Sequence, residues 1–204
     1  ILSGLVGSEM CIRDRGKVAP LFVTEGGSTQ SVVSGIRKHS VEGLVQVGIL
    51  GIDGDEQADL TVHGGIDKAV YLYPYEHYAF WESTIHNVLK KTVEFVPGAM
   101  GENLTTQGIT ERDLWVGDRL KVGEVILEVT EPRAPCFKFA ALMGFRHAVK
   151  HMLQTGFTGV YLKVIQQGRF NAGLPITTLP GAREVRIADI NDRRLKGRQR
   201  DLFP

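Results

Sequence analysis

One cysteine of this chain lies among residues that could make its thiol reactive. Cys136 follows Pro135 and has Arg133 and Lys138 close by in the run Glu-Pro-Arg-Ala-Pro-Cys-Phe-Lys at 131–138. Pro135 suits a first helical residue, which would place Cys136 in the first turn of a helix. Unpaired N–H groups and nearby cations favour the thiolate there, which is the form that attacks electrophiles or binds metals. A buried cysteine that packs like a small apolar residue fits this window equally well.

A glycine pair could bring backbone N–H groups to an anion. Gly64 and Gly65 allow the backbone to approach a ligand closely, and His63 and Lys68 flank them with side-chain donors. On its own, this run is more typical of a glycine hairpin with two solvated polar residues.

A second glycine-rich run covers residues 98–103 and ends in a carboxylate and an amide, Glu102 and Asn103. Neither glycine run has the spacing of a phosphate-binding loop or of a dinucleotide-binding motif. No regular strand–helix unit surrounds either run. Because the formal net charge is only +1, any anion site must come from local clustering of charged residues.

Two other patterns partly resemble metal sites. Residues 51–56 are rich in acidic residues, but the later ligands of a calcium loop are missing. We interpret this run as a turn in which Asp55 and Glu56 stabilise nearby N–H groups or basic residues. His147 and His151 have helical i, i+4 spacing, but no glutamate follows His147 as in a zinc protease, so a solvated face is the simpler interpretation.

Short apolar segments predict a mainly β fold. We expect strands over 17–24, 31–38, 44–50, 69–73, 119–122, 125–130, 160–165 and 176–179, with another near Leu104. Pro74 is expected to open a helix with an aromatic stripe that packs in the core. A second helix should run from Cys136 to Gly156 and a third over 184–195. These elements favour an α+β chain with a β-barrel-like core and peripheral helices.

We expect one main domain with two short additions. Residues 1–15 lack periodicity and are predicted to be a non-native or disordered segment, so Cys11 receives no role. Residues 16–180 are predicted to form the β-barrel domain. Residues 181–204 should form a short helical segment that is basic near its end.

Composition gives no general argument for a nucleic-acid or membrane partner. The formal net charge is +1, and the basic run 193–200 contains no interleaved aromatic residues. No apolar run approaches the roughly 20 residues of a spanning helix, and two cysteines do not form a disulfide framework. We therefore expect a cytoplasmic, reduced protein.

Seven motifs in order resemble the MOSC domain family, and its YiiM-like branch most closely. They are Gly-Asp-Glu-Gln at 54–57, Val-His-Gly-Gly at 62–65, Lys-Ala-Val at 68–70, Tyr-Glu-His-Tyr at 75–78, Gly-Glu-Asn-Leu at 101–104, Val-Gly-Asp at 116–118 and Pro-Arg-Ala-Pro-Cys-Phe-Lys at 132–138. Each is weak alone, but the ordered set is specific and covers about residues 17–179. The C-terminal region is shorter than in members of this branch, which is a departure from the pattern.

The resemblance implies a closed, mostly antiparallel β-barrel with helices outside. It also implies the molybdenum cofactor, a metal held by a phosphorylated pterin dithiolene. By motif position, Cys136 would supply a thiolate to molybdenum. The pocket for the anionic pterin phosphate would be lined by His63, Gly64, Gly65, Lys68, Arg133 and Lys138, with Glu102 and Asn103 as further members.

The activity that the resemblance implies is reduction of N-hydroxylated compounds, such as hydroxylaminopurine-type base analogues. The sequence contains neither an iron–sulfur cysteine pattern nor a flavin motif, so a reductase would need a separate electron-donor protein. A different function stays open at this point. Some MOSC proteins bind or hand on the cofactor, or carry sulfur on the cysteine, without turning over a substrate.

Overall fold

A curled, seven-stranded sheet forms the main layer of the fold. The computed structural model describes residues 10–12, 15–17, 19–25, 28–39, 43–56 and 64–202. The strands in these ranges are β1 (Met10–Ile12), β2 (Arg15–Gly16), β3 (Ala19–Glu25), β4 (Ser28–Ser34), β5 (Lys38–His39), β6 (Val45–Gly48), β7 (Gly51–Ile52), β8 (Val70–Pro74), β9 (Leu104–Thr106), β10 (Arg119–Val122), β11 (Val125–Pro132), β12 (Val160–Gln166), β13 (Gly168–Phe170) and β14 (Thr177–Leu179). The helices are α1 (Tyr78–Leu89), α2 (Phe137–Met143), α3 (Ala148–Thr155) and α4 (Ile187–Leu202), with 3-10 turns at Ile66–Lys68 and Tyr75–His77.

The strand order of the main sheet is β1-β9-β8-β12-β11-β10-β14. Among its described pairs, β8 and β9 are parallel and the others are antiparallel. Smaller sheets are formed by β13-β6-β7, β2-β5 and β3-β4. The α+β class is confirmed. Since β1 and β14 are opposite edges of this order, the sheet is a curled half-barrel in the described residues, and the closed barrel stays a prediction.

The two faces of the sheet bury different side chains. Side chains alternate along a strand, so Val160 and Leu162 of β12 join an apolar cluster with residues of β6, β8, β10 and β11. On the other face, Trp81 of α1, Phe139 of α2 and Met152 of α3 pack in a second cluster. Burial of each large apolar side chain stabilises the fold by about 1.5–3 kcal/mol. The candidate site lies at the border of this second cluster.

A helix follows Pro74, as predicted, although α1 itself begins only at Tyr78. Pro74 is the last residue of β8, and the 3-10 turn Tyr75–His77 leads into α1. Tyr78, Trp81 and Ile85 are buried, which confirms core packing for these members of the aromatic stripe, whereas Tyr75 is exposed.

The helix predicted from Cys136 to Gly156 is wrong in two respects. Cys136 is not in the first turn, because it is the extended N-cap residue (φ −120°, ψ −178°) before α2. The helix also breaks at Gly144, which is left-handed (φ 76°). Both α2 and α3 bury one face in the second cluster, so the apolar periodicity continued across the break. Gly156 does end α3, as predicted, with φ 71°.

Other boundaries differ from the sequence-based expectations. The strand expected over 31–38 is two strands, because β4 ends at Ser34 and β5 begins at Lys38. Helix α4 begins at Ile187 rather than at residue 184. Strand β1 lies within the segment expected outside the fold, yet its backbone pairs with β9. The domain limits at 15 and 180 stay predictions, and residues 1–9 lie outside the described residues.

Within the described parts of the chain, no helix combines the length and the apolar character that crossing a bilayer requires.

Candidate functional site

The cysteine-bearing segment leaves the main sheet at the end of β11. Pro132 is in register with Val160, and the Arg133 amide donates a hydrogen bond to the Gly159 carbonyl (3.3 Å). Gly159 is left-handed (φ 64°), and a Cβ there would lie 2.4 Å from the Leu72 carbonyl oxygen. Only glycine therefore lets β12 begin so close to β8.

The backbone of Cys136 closes the first turn of α2. The Phe139 amide donates to the Cys136 carbonyl (3.0 Å), while the Cys136 side chain makes no capping hydrogen bond. The Cys136 residue is half-buried. The backbone of Cys136 is therefore held by the first turn of α2, while its thiol does not cap the helix.

Arg133 is a buried cation that faces neutral partners. Its residue is 7% exposed, and Nη1 donates to the Met100 carbonyl (2.7 Å) and to the Tyr71 hydroxyl (3.2 Å). The guanidinium also lies over the rings of Tyr71 (4.8 Å) and Phe139 (5.1 Å). No carboxylate among the described residues forms an ion pair with it. Because a guanidinium stays protonated in proteins, its charge is available to a bound anion.

Tyr71 keeps its hydroxyl proton beside this cation. Burial raises the pKa of Tyr71 well above its usual range, by more than the neighbouring Arg133 lowers it. The protonated hydroxyl donates to the Thr158 carbonyl (2.7 Å) and accepts from Arg133. These two bonds fix the orientation of the guanidinium.

A cavity lies beside Arg133 and Cys136 and joins segments that are distant in sequence. Five of its wall residues were predicted as site residues: Lys68, Asn103, Arg133, Cys136 and Lys138. Further wall residues that the sequence did not single out as site residues include Ser34, Ile36, Lys38, Asp55, Tyr71, Gly101 and Tyr161.

Cations outnumber carboxylates on this wall. Four cationic side chains (Lys38, Lys68, Arg133 and Lys138) face two carboxylates (Asp55 and Glu56), a formal balance of 4 − 2 = +2. Lys38 is paired with Asp55, and Lys68 Nζ lies 3.4 Å from Glu131 Oε1. For Lys138, no hydrogen bond or ion pair to a described residue occurs. The cavity thus favours an anionic ligand.

Asn103 connects the acidic turn to the sheet. Its side-chain nitrogen donates to Asp55 Oδ2 (2.8 Å), and its side-chain oxygen accepts from the Tyr71 amide (2.9 Å). Asp55 also pairs with Lys38. The interpretation of residues 51–56 as a turn that stabilises basic residues is confirmed for Asp55.

Glu102 lies away from the cavity wall. It is fully buried, and its carboxylate accepts from the Gly98 amide (3.0 Å), the Met100 amide (2.9 Å) and the Thr105 hydroxyl (2.8 Å). Glu102 therefore holds the glycine-rich loop, and its role in cofactor binding stays a prediction.

The first glycine pair supports the site only indirectly. Gly65 (φ 92°) precedes the 3-10 turn that carries Lys68, and neither Gly64 nor Gly65 is on the wall. His63 lies outside the described residues.

The two spaced histidines have separate contacts. His147 precedes α3, and its Nε2 is 2.8 Å from Arg146 Nε. The ring of His151 packs edge-on against Phe145, with 5.8 Å between centroids. In the described residues, no three His, Cys, Asp or Glu side chains are close enough together to hold a metal ion.

The alternation of side chains along β12 could have identified Tyr161 and its partner Tyr71 as residues of the cavity wall. Tyr161 lies between the buried Val160 and Leu162, so it must face the opposite side of the sheet, and it is in register with Tyr71. Their ring centroids are 5.3 Å apart. No comparable signal marks Lys38, which lines the cavity at the start of β5.

Residues 59–177 match the MOSC domain family. The chain belongs to the MOSC family. It is 39% identical to YflK of Bacillus subtilis (strain 168) over 150 residues, which are 74% of this MOSC chain and 65% of that protein. It is 34% identical over 158 residues, or 77% of the chain, to a protein named reductase from Gibberella moniliformis (strain M3125 / FGSC 7600), of which it spans 28%.

The fold also matches a solved structure of the same branch. The crystal structure of YiiM from Geobacillus stearothermophilus superposes with a TM-score of 0.69 and 32% sequence identity, covering 93% of this chain and 85% of that one. This MOSC chain is therefore YiiM-like, and it spans somewhat less than two thirds of YflK.

Proposed function

We propose that this MOSC chain is a molybdenum cofactor-dependent reductase of N-hydroxylated compounds, with the Cys136 thiolate as a ligand of the metal. One observation carries the proposal: Cys136 lines the same cavity as Lys68, Arg133 and Lys138. Membership of the family and the name of the relative from Gibberella moniliformis support a redox function.

The residues of the cavity fit the chemistry of such a cofactor. A phosphate group binds best to Arg and Lys donors, and Arg133 has no ion-pair partner among the described residues. A thiolate is a soft ligand that suits a soft metal site. When bound, the cofactor would supply two-electron redox chemistry at its metal.

The protein side chains would have three tasks. Arg133, Lys68 and Lys138 would bind the phosphate and orient the ligand, and Cys136 would hold the metal. The net reaction, R–NHOH + 2 e⁻ + 2 H⁺ → R–NH₂ + H₂O, needs two protons and two electrons.

Protons could come from groups on the cavity wall. Lys68 and Lys138 line the cavity and carry exchangeable protons. Tyr161 also lines it, but burial raises the pKa of Tyr161 by more than Arg133 lowers it, so its hydroxyl is a hydrogen-bond donor rather than an acid. The electrons would come from a separate donor protein.

Molybdenum content and turnover test this proposal. Protein produced in cells that synthesise the cofactor should contain molybdenum and pterin, and it should reduce hydroxylaminopurine with dithionite-reduced viologen. Cys136→Ser should retain pterin through the cationic wall but lose almost all turnover, because serine is a harder and much less acidic ligand. Cys11→Ser is the matched control and should behave as wild type.

Two results would contradict the proposal in different ways. A fully active Cys136→Ser variant would remove Cys136 from the chemistry. A loaded wild-type protein that reduces no N-hydroxylated substrate would instead favour the second function, a carrier of the cofactor or of sulfur.

A further inference from the structure

Helix α4 contacts the start of the cysteine-bearing segment through Arg194. Its Nη1 donates to the carbonyl oxygens of Pro132 (2.9 Å) and Arg133 (3.5 Å), and its Nη2 lies 3.3 Å from Glu131 Oε2. In the sequence, Arg194 belongs to the basic run 193–200. In the structure it is half-buried against the end of β11, whereas its neighbour Arg193 is exposed.

Glu131 extends this contact to another part of the cavity wall. One carboxylate oxygen accepts from Arg194, and the other lies 3.4 Å from Lys68 Nζ. Arg194 is thereby connected to Lys68 through Glu131 and to Arg133 through its main chain. These contacts bring together the planar fork of a guanidinium, two carbonyls and a carboxylate, a set that a lysine cannot reproduce.

Both peptide groups that flank Arg133 are held. Its amide donates to Gly159, and its carbonyl accepts from Arg194. With Arg194 removed, the carbonyls at the end of β11 would lose this partner and the segment leading to Cys136 could shift. Small displacements matter at such a site, because binding depends on how closely the charged groups match the ligand.

We infer that Arg194 is a positioning residue, through which α4 sets the spacing of Arg133 and Lys68 and so the affinity of the cavity for a phosphate group. This inference rests on the anion site of the proposed function. It assigns to the basic C-terminal helix a role in ligand binding that does not involve direct contact with the ligand.

The test uses inorganic phosphate and the full-length protein without added cofactor. Phosphate bound among Arg133, Lys68 and Lys138 should shield Cys136 from iodoacetamide, and mass spectrometry can follow the Cys136 peptide at constant pH and ionic strength. Arg194→Ala should raise the phosphate concentration for half-protection about fivefold. Arg194→Lys should recover part of this loss, and Arg193→Ala, the matched control, should match wild type.

Arg194→Lys also serves as the second variant if Arg194→Ala folds poorly. It keeps the positive charge but lacks the planar fork, so the half-protecting concentration should still rise above that of wild type, by less than with Arg194→Ala. An Arg194→Ala protein with a lower melting temperature but an unchanged phosphate concentration would overturn the inference, since Arg194 would then be merely structural. Wild-type protein that phosphate does not protect at all would overturn the proposed anion site, and this inference with it.

Discussion

Alanine at Gly101 would test how tightly residues 35–37 are held over the cavity. Gly101 is left-handed (φ 81°), and a Cβ there would lie 2.6 Å from Ile36 Cγ1 and 2.9 Å from the Ile36 carbonyl oxygen. The left-handed conformation alone costs an alanine about 1–2 kcal/mol. Overpacking against a backbone oxygen adds about 1–3 kcal/mol. The free energy of unfolding of Gly101→Ala should therefore fall by about 2–5 kcal/mol.

Gly117 offers a matched control. It has a similar conformation (φ 87°), but a Cβ there would meet no atom within 4 Å. Gly117→Ala should therefore lose only the conformational part, about 1–2 kcal/mol. Urea unfolding measures both, provided that the slope of each transition stays unchanged. Equal destabilisation of the two variants would refute the contact between Gly101 and Ile36.

The same pair of variants separates stability from ligand binding. Gly101 and Ile36 both line the cavity, so Gly101→Ala should also displace the cavity wall and weaken the phosphate protection of Cys136. Gly117→Ala should leave that protection as it is.

Two further predictions concern charged side chains. Arg133→Met should lower the free energy of unfolding by about 1–3 kcal/mol, because the Met100 carbonyl loses its hydrogen-bond donor. It should also weaken the phosphate protection of Cys136 at least about tenfold, whereas Arg133→Lys should retain part of that protection. A methionine variant with full protection would contradict this. Burial raises the pKa of Glu128, but its contacts with Lys163 and Arg119 lower it by more. A carboxylate whose pKa is lower in the folded than in the unfolded state stabilises the fold at pH values above its unfolded-state pKa. This stabilisation is lost as the pH falls towards its folded-state pKa. Urea unfolding should then show wild type about 0.5–1 kcal/mol more stable than Glu128→Gln at pH 7, with the difference shrinking below pH of about 4. A difference that does not change with pH would contradict it.

The sequence was sufficient where strand alternation and turn residues agreed. Strand β10 was predicted over 119–122 and is observed at Arg119–Val122, because buried and exposed residues alternate up to the turn at Gly123. The sequence was insufficient to predict the break between α2 and α3, because both helices pack in the same apolar cluster. Periodicity then continued through Gly144, and only the three-dimensional position of α3 shows the break.

Two adjacent residues that the sequence predicts as site residues, Glu102 and Asn103, differ in whether their side chains line the cavity. Glu102 and Asn103 are neighbours just before β9, and consecutive side chains of an extended chain point to opposite sides. Asn103 therefore reaches the cavity, while Glu102 points into the glycine-rich loop. The sequence likewise shows only a basic run at 193–200, whereas in the structure Arg193 is exposed and Arg194 is turned towards β11.

The parallel pairing of β8 and β9 has a consequence for the time at which the site forms. Parallel neighbours cannot be joined by a tight turn, so the chain from Tyr71 to Asn103, which includes α1, must close into a long loop when Asn103 bonds to the Tyr71 backbone. Contacts between residues far apart in sequence form slowly, because the entropy of closing the intervening chain is lost first. The cavity should therefore form late in folding, after the transition state. A ligand that binds it would then slow unfolding and leave the folding rate unchanged.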